Sequence, residues 1–414
     1  MPNPPTPDAG IPGGTSPWEV ARRLAHLPEL VFLDSALARP GAVSHIAACP
    51  EEIIEGETEA DWQHLREAIQ RRAGSPGMAA GCIEYEGRFR FGLYGNVLTY
   101  LHDQGRWLGD GRLAAMMEQP HPLPDEAIDF QPEMPPEHYQ AMVRRAQEYI
   151  AAGDIYQVNL AHRFSARWSG SLAPALAFYA RLRACSPAPY AALLCGERCI
   201  IASSSPELFL QMDGREAVTR PIKGTRARGA DAAADAAAER DLAASAKERA
   251  ELIMITDLER NDLGQVCDYG SVEVRELLKL ERYAQVHHMV STVSGRLRAG
   301  VDHIRALRAC FPGGSVTGAP KKRAREIIAE LEPGRRGVYT GAIGCIGFDG
   351  RSAFNIAIRT AVLERAGHAH FHAGAGIVAD SHPRAEWEET LWKAAGMLRA
   401  GEEIRNSKPE IRKR

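Results

Sequence analysis

A chain of 414 residues, 45% apolar and 25% charged, has the size of one large domain or two ordinary ones and the composition of a soluble globular protein. Its 50 basic and 53 acidic side chains leave a net charge of −3, so no overall field favours nucleic acid or an anionic membrane, and an anionic ligand must be held by local groups. Eight scattered cysteines lack the paired spacing of a disulfide framework or zinc ribbon, and no window approaches the roughly 18 continuous apolar residues of a membrane span, so a cytoplasmic enzyme with reduced thiols is expected.

Residues 1–17, rich in Pro and Gly without a basic start or apolar core, read as a disordered leader and not a signal or transit peptide. Across 18–120 short apolar runs alternate with turns, as in a β-rich subdomain joined by hairpins. The Pro-rich stretch 121–136 reads as a connector. Residues 137–402 open with a proline-led amphipathic helix that stops at Gly153 and turns into an alternating strand from Tyr156 to Phe164. A strand pair follows, then an Ala-rich helical stretch from Asp231 to Leu258 and a helix bounded by Pro320 and Pro333. Three or four strands and the helix PRAEWEETLWKAAGMLRA come last, before a charged tail at 403–414. Strand runs interrupted by helices, without strict alternation, predict an α+β fold with antiparallel sheet.

Three motifs fail on inspection. GAGIVA (Gly374–Ala379) has dinucleotide-type glycines, but a β-like run follows where a helix must begin. GGSVTGAPKK puts Ala319-Pro320 where a phosphate loop needs Lys-Ser/Thr, leaving a Gly-rich turn into a helix whose free N–H groups could face an anion. His368, His370 and His372 alternate on a strand, which is more often a polar face than a metal site.

Two helices carry carboxylates of interest. Glu251, Asp257, Glu259 and Asp262 lie among apolar residues; Glu386 and Glu389 are spaced i,i+3, with Lys393 at i+4 from Glu389. One carboxylate from each helix would suit Mg²⁺, a hard ion completed by water and an anionic ligand, although i,i+4 Glu-Lys pairs usually mark a solvated helix face. VTRPIKGTRARG (Val218–Gly229) sets Lys223 beside Arg220, Arg226 and Arg228, by itself a basic patch.

GDIYQVNLAHRF, SSSPELFL, RPIKGTRARG, ELIMITDLERNDLGQVC, VHHMVSTVSG, FPGGSVTGAPKKRAREII, RRGVYTGAIGCIGF, NIAIRT and AGAGIVADS…EWEETLWKA occur in the order found in the chorismate-utilising enzymes. The chain resembles that family from about Gly153 to Arg399, and within it the aminodeoxychorismate synthase component I type. The resemblance implies an α+β antiparallel sandwich with helices packed outside, Mg²⁺ as cofactor, chorismate as substrate, and Glu251 and Glu389 as metal ligands with Glu386 nearby. It further implies that Tyr339, Arg359 and the backbone of Gly374, Ala375 and Gly376 hold the enolpyruvyl carboxylate, with Lys393 a second cation there. His288, not His287, matches the histidine near the ring carboxylate; Gly224 and Thr225 match ring or hydroxyl contacts.

Members that add water at C2 carry a lysine base where this chain has Gln157, and an amide cannot deprotonate water. Members that aminate C2 show alanine in the slot of Lys223. A lysine there implies a covalent route: the amine attacks C2 as the C4 hydroxyl departs with a proton from Glu207, and ammonia then attacks C4 and expels the lysine. That route needs a neutral lysine, for which Mg²⁺, Arg220 and Arg226 are the expected electrostatic support, and a Glu207 with raised pKa. The product would be 4-amino-4-deoxychorismate, for 4-aminobenzoate and folate biosynthesis; the alternative is C2 amination, as in anthranilate synthase component I. No glutaminase nucleophile loop is recognisable, so ammonia is expected from a separate glutamine amidotransferase subunit. FLDSALARPGAVSHI resembles the segment that forms part of a tryptophan pocket in relatives, with Ser35 and Ser44 the matching residues. Cys345, where some relatives have an aromatic, reads as core filler.

Overall fold

The computed structural model describes residues 8–402 apart from 13, 38–39, 121 and 284–285; the tail at 403–414 and residues 1–7 of the expected leader lie outside the described residues. Before the connector come α1 (Pro17–Leu24), β1 (Leu30–Asp34), β2 (Val43–Ala47), β3 (Glu52–Gly56), α2 (Glu59–Arg71), β4 (Met78–Ile83), β5 (Phe89–Tyr94), β6 (Val97–Leu101) and β7 (Arg106–Leu108). The middle of the chain forms β8 (Gln131–Pro132), α3 (Pro136–Ala151), β9 (Gln157–Arg167), α4 (Leu172–Cys185), β10 (Tyr190–Cys195), β11 (Cys199–Ser205), β12 (Leu208–Asp213), β13 (Glu216–Arg220) and β14 (Ile222–Ala227). The remainder forms α5 (Ala232–Ala244), α6 (Ala246–Gly264), β15 (Glu273–Arg282), β16 (Val286–Arg296), α7 (His303–Cys310), β17 (Gly318–Ala319), α8 (Lys321–Leu331), β18 (Ala342–Gly347), β19 (Arg351–Ile356), β20 (Thr360–Glu364), β21 (His368–Ile377) and α9 (Pro383–Gly401).

Among the described residues the strands form two antiparallel sheets. One runs β17-β9-β21-β20-β11-β10-β1-β2-β6-β7 with β8 on β9; the other runs β14-β16-β13-β12-β19-β18-β4-β5-β3 with β15 on β16. Apolar residues of both sheets, among them Val31, Ala192, Met78 and Ile343, meet in one cluster between them. Helices cover the outer faces: Val20, Phe178 and Met397 from α1, α4 and α9 pack on the first sheet, and Trp62, Leu263 and Leu307 from α2, α6 and α7 on the second. The α+β sandwich with outer helices is therefore as expected.

The segment 18–120 supplies strands to the ends of both sheets, β1 pairing with β10 and β4 with β18. The disordered leader needs correction over its described part: Asp8 bridges Leu108, Ala9 and Ile11 are buried, the Trp107 indole donates to Thr15 O, and Ser16 caps α1. A Pro-rich composition left no periodic signal there, yet burial of two apolar side chains ties it down. The connector, too, is packed, with Ile128 and Phe130 buried under α4 and α9.

The Ala-rich stretch breaks at Ser245, whose extended backbone ends α5 and whose hydroxyl accepts from Glu248 N to start α6. No helix among the described residues is long and apolar enough to cross a membrane. All eight cysteines are free thiols, and Cys345 is buried between the sheets, where burial pushes its thiol up to about 12.

Candidate active site

At the edge of the second sheet β14 carries Lys223, Gly224 and Thr225. Pairing with β16 shifts register between Lys223 and Thr225, and Gly224 sits in that bulge with φ +76°. A Cβ on Gly224 would lie 2.7 Å from Leu242 Cδ1 and 3.2 Å from Glu248, so only glycine allows both the left-handed backbone and the close approach of α5 and α6. The bulge turns Lys223 inward: its side chain is 15% exposed, Nζ lies 4.0 Å from Glu251 Oε2 on α6, and it donates to Ser315 O at 3.4 Å.

The arginines around Lys223 do not support it as expected. Arg220 is paired with Glu281 and donates to Thr292, and Arg226 with Asp241 and Glu248. The groups whose charge Lys223 meets are acids, Glu251, Glu207 and Glu389. Each guanidinium has been drawn to a nearer carboxylate, an outcome invisible while those partners were dispersed along the chain.

Glu207, at the turn between β11 and β12, is buried, and burial pushes its carboxyl above the usual range against the pull of Ser315, Lys223 and Lys393. Ile222 N donates to its Oε1 at 3.4 Å. Arg359, next to it, has a left-handed backbone at φ +50°, and its carbonyl accepts from Ser204 N at 2.9 Å. Burial lowers the pKa of its guanidinium and Glu207 counteracts. A non-glycine residue held at positive φ beside a buried acid is strain of the kind found at functional sites.

His288 Nδ1 meets Thr225 Oγ1 at 2.9 Å; burial, then Arg359, brings its pKa down to about 4, so the ring is neutral at ordinary pH. His287 points to the other face of β16 and pairs with Asp235 at 2.9 Å.

On the first sheet, β21 presents Gly374 and Gly376. A Cβ on Gly374 would lie 2.9 Å from the Tyr339 hydroxyl; one on Gly376 would lie 2.3 Å from Gln157 Nε2 and 3.7 Å from Lys223 Nζ. The Ala375 side chain packs into the apolar cluster with Tyr139 and Ile155, which leaves its backbone, the part expected at the site. Tyr339 is buried, stacked on His372 at 5.1 Å between centroids, and burial raises its pKa, so it stays a phenol donor. Gln157 Oε1 is buried without a hydrogen-bond partner.

Helix α9 brings Glu386, Glu389 and Lys393. Lys393 Nζ lies 2.7 Å from Glu389 Oε1 and donates to Gly374 O at 3.0 Å; the two side chains are 47% and 42% exposed, so solvent reaches both. Burial would raise Glu389, but Lys393 holds it below its usual value, whereas burial carries Glu251 upward against Lys223 and Lys247. Glu386 accepts from Ser381 Oγ at 2.7 Å and leaves Oε2 buried and unpaired.

Residues 52–399 match the chorismate binding enzyme family. The chain belongs to that family. It is 51% identical over 260 residues to anthranilate synthase component 1 of Streptomyces coelicolor, covering 62% of this chain and 50% of that protein. It is 45% identical over 277 residues to aminodeoxychorismate synthase component 1 of Bacillus subtilis, covering 67% and 58%. Its fold superposes on the crystal structure of anthranilate synthase component I from Streptococcus pneumoniae with TM-score 0.76 at 30% identity, over 87% of this chain and 93% of that one. The chain thus spans half to three-fifths of the length of those two curated relatives, and anthranilate synthase names outnumber the other.

Contacts link several of the expected residues: Lys223 lies near Glu251 and Gly376, Thr225 meets His288, Gly374 packs on Tyr339, and Lys393 joins Gly374 to Glu389. No group of three His, Cys, Asp or Glu side chains gathers as a preformed metal site among the described residues. A Mg²⁺ ion nevertheless fits the chemistry of the donor set: Glu251 feels the charge of Glu389, Glu386 has an orphaned oxygen, and Glu389 is part-exposed, as suits a hard ion that keeps water among its ligands. Lys247, 4.0 Å from Glu251 and 3.6 Å from Glu386, escaped the sequence reading, as did Ser315 and Asn159. Ser315 lies in the Gly-rich turn that was noticed only for its backbone; Asn159, two residues after Gln157, lies beside the Tyr339 hydroxyl and carried no signal of its own. The expected tryptophan-pocket residues Ser35 and Ser44 are buried with both hydroxyls committed to the protein, Ser35 to Val43 O and Ser44 to His102.

Proposed function

We propose that this chain is the synthase component of an enzyme that aminates chorismate, taking ammonia from a separate glutamine amidotransferase. One observation carries this reading: a buried acid, a lysine, a pair of carboxylates and several donors for a carboxylate are linked by contacts around Lys223 and Gly374–Gly376. Arg359, with its planar fork, and Tyr339 suit the enolpyruvyl carboxylate of a diacid, with Lys393 adding a cation. Mg²⁺ held by Glu251 and Glu389 would supply positive charge for the ring carboxylate. Glu207, whose carboxyl burial pushes above its ordinary range, is the acid placed to give a proton to the departing C4 hydroxyl.

Lys223 supports amination at C4. Its nitrogen attacks C2 as the C4–O bond breaks, and ammonia then bonds to C4 while the C2–N bond to Lys223 breaks, giving 4-amino-4-deoxychorismate on the way to 4-aminobenzoate and folate. A metal held by Glu251 and Glu389 would draw the Glu251 carboxylate away from the Lys223 nitrogen, 4.0 Å from it. The names of the relatives favour the second reading, direct amination at C2 as in anthranilate synthase.

The test is incubation with chorismate, Mg²⁺ and ammonium, followed by aminodeoxychorismate lyase. Formation of 4-aminobenzoate supports the C4 reading, and fluorescent anthranilate without lyase overturns it. No consumption of chorismate at any ammonium concentration overturns the enzyme reading altogether in favour of a silent binding scaffold.

A further inference from the structure

Lys247 on α6 reaches across to α9. Its Nζ lies 4.0 Å from Glu251 Oε1 on its own helix and 3.6 Å from Glu386 Oε1 on the other. Lys223 meets the opposite oxygen of Glu251, Oε2, also at 4.0 Å, and Lys393 stays with Glu389 at 2.7 Å. Glu251, Glu386 and Glu389 therefore face Lys223, Lys247 and Lys393, and the charges of these acids are already matched by ammonium groups.

The hold on Lys247 is loose. Both separations exceed hydrogen-bond length, so charge attraction alone acts, and its side chain is 52% exposed where that of Glu386 is 3% exposed. Glu386 is fixed from another direction by Ser381 Oγ at 2.7 Å and keeps Oε2 buried without a partner. A buried carboxylate with an orphaned oxygen needs a cation close by, and an ammonium on a flexible stem that already reaches water is one that withdraws easily. Lys393, by contrast, also donates to Gly374 O and cannot leave Glu389 without breaking that bond.

This inference rests on the reading of Glu251, Glu386 and Glu389 as the donor set for Mg²⁺. An ion seated on oxygens that Lys247 also faces would stand close to a like charge in a part-buried setting, where repulsion is strong, so the two cations compete. We propose that Lys247 and Mg²⁺ exchange at Glu251 and Glu386: the ammonium ties α6 to α9 until the ion takes over that tie and the lysine swings out to solvent. Lys247 is a positioning residue whose charge raises the Mg²⁺ concentration the site requires. A monovalent ion offers the acids no more charge than the tethered ammonium, so the exchange favours a divalent one.

Calorimetric Mg²⁺ titrations and thermal melts of wild type and Lys247→Met test the exchange. Lys247→Met, which keeps most of the stem and loses the charge, should bind Mg²⁺ about tenfold more tightly, the scale of two part-exposed charge contacts removed together. Without Mg²⁺ it should melt below wild type, and saturating Mg²⁺ should close the gap. In wild type, acylation of Lys247 by a water-soluble succinimidyl ester, read by peptide mass mapping, should rise severalfold on adding Mg²⁺, a measurement that serves if Lys247→Met does not fold. Equal or weaker Mg²⁺ binding by Lys247→Met, a melting gap that Mg²⁺ does not narrow, or labelling that Mg²⁺ leaves unchanged overturns the exchange. Failure of both proteins to bind Mg²⁺ overturns the metal reading of these acids as well, an outcome distinct from binding that Lys247 does not affect.

Discussion

Lys223 and Glu251 face each other across 4.0 Å, joining the strand that carries the proposed nucleophile to the helix that carries the proposed metal ligand. Replacing Lys223 with Ala should cut formation of 4-amino-4-deoxychorismate by roughly a hundredfold or more, the scale on which a lost reacting group is felt, and leave any residual amination at C2. Chromatographic product analysis checks it. Intact-mass measurement with chorismate in the absence of ammonia should show an adduct on wild type and none on Lys223→Ala.

Glu251 and Glu389 stand on different helices, so a shared cation should tie α6 to α9. Glu389→Gln should raise the Mg²⁺ concentration for half-maximal activity by about tenfold or more. Mg²⁺ added with chorismate should raise the melting temperature of wild type, and the variant should lose most of that shift.

Arg336, 2% exposed, donates to both oxygens of Glu332, at 2.8 and 2.6 Å, and to the carbonyls of Val316 and Asn159. Removing it strands a buried carboxylate that also accepts from Ala161 N. Arg336→Ala should lower stability by about 3–5 kcal/mol in urea unfolding, and adding Glu332→Gln should recover part of the loss.

His162 on β9 is buried, 4.5 Å from the Trp387 ring and 2.8 Å from Thr390 Oγ1, which fastens the first sheet to α9. Burial brings its pKa down to about 4 from an ordinary 6.5. Below 6.5 the unfolded chain binds a proton that the folded one refuses, so stability falls with falling pH down to about 4, by about 2 kcal/mol at pH 5 from this residue. His162→Gln should be less stable than wild type at pH 7 yet flatter between pH 7 and 5 in denaturant titrations.

Much of the site was legible because its residues sit in short contiguous motifs. Lys223, Gly224 and Thr225 occupy one bulge, and Glu386, Glu389 and Lys393 one helix face. What escaped depended on pairing across long stretches of chain. Arg220 looked like support for Lys223 until β15 brought Glu281 to it. Glu259 was noticed as an acid among apolar residues, but its bond from Gly314 N arises only when α6 packs against the Gly-rich turn. Ala9 and Ile11 were lost in a Pro-rich composition because two apolar residues make no period.

The pairing of β9 with β21, from Arg167 opposite His368 to Val158 opposite Ile377, has a consequence for biosynthesis. A ribosome must make the roughly 200 residues between the two strands before β9 can meet that partner, and this non-local ladder carries Gln157 on one strand and Gly376 on the other. Until then the side of β9 that β21 will cover is an open hydrophobic edge, whatever β8 and β17 do on its other side, and is accessible to chaperones or a neighbouring nascent chain. Expression yield should therefore respond to translation speed and chaperone supply, and a transcript truncated before β21 should give insoluble protein in place of a partly active fragment.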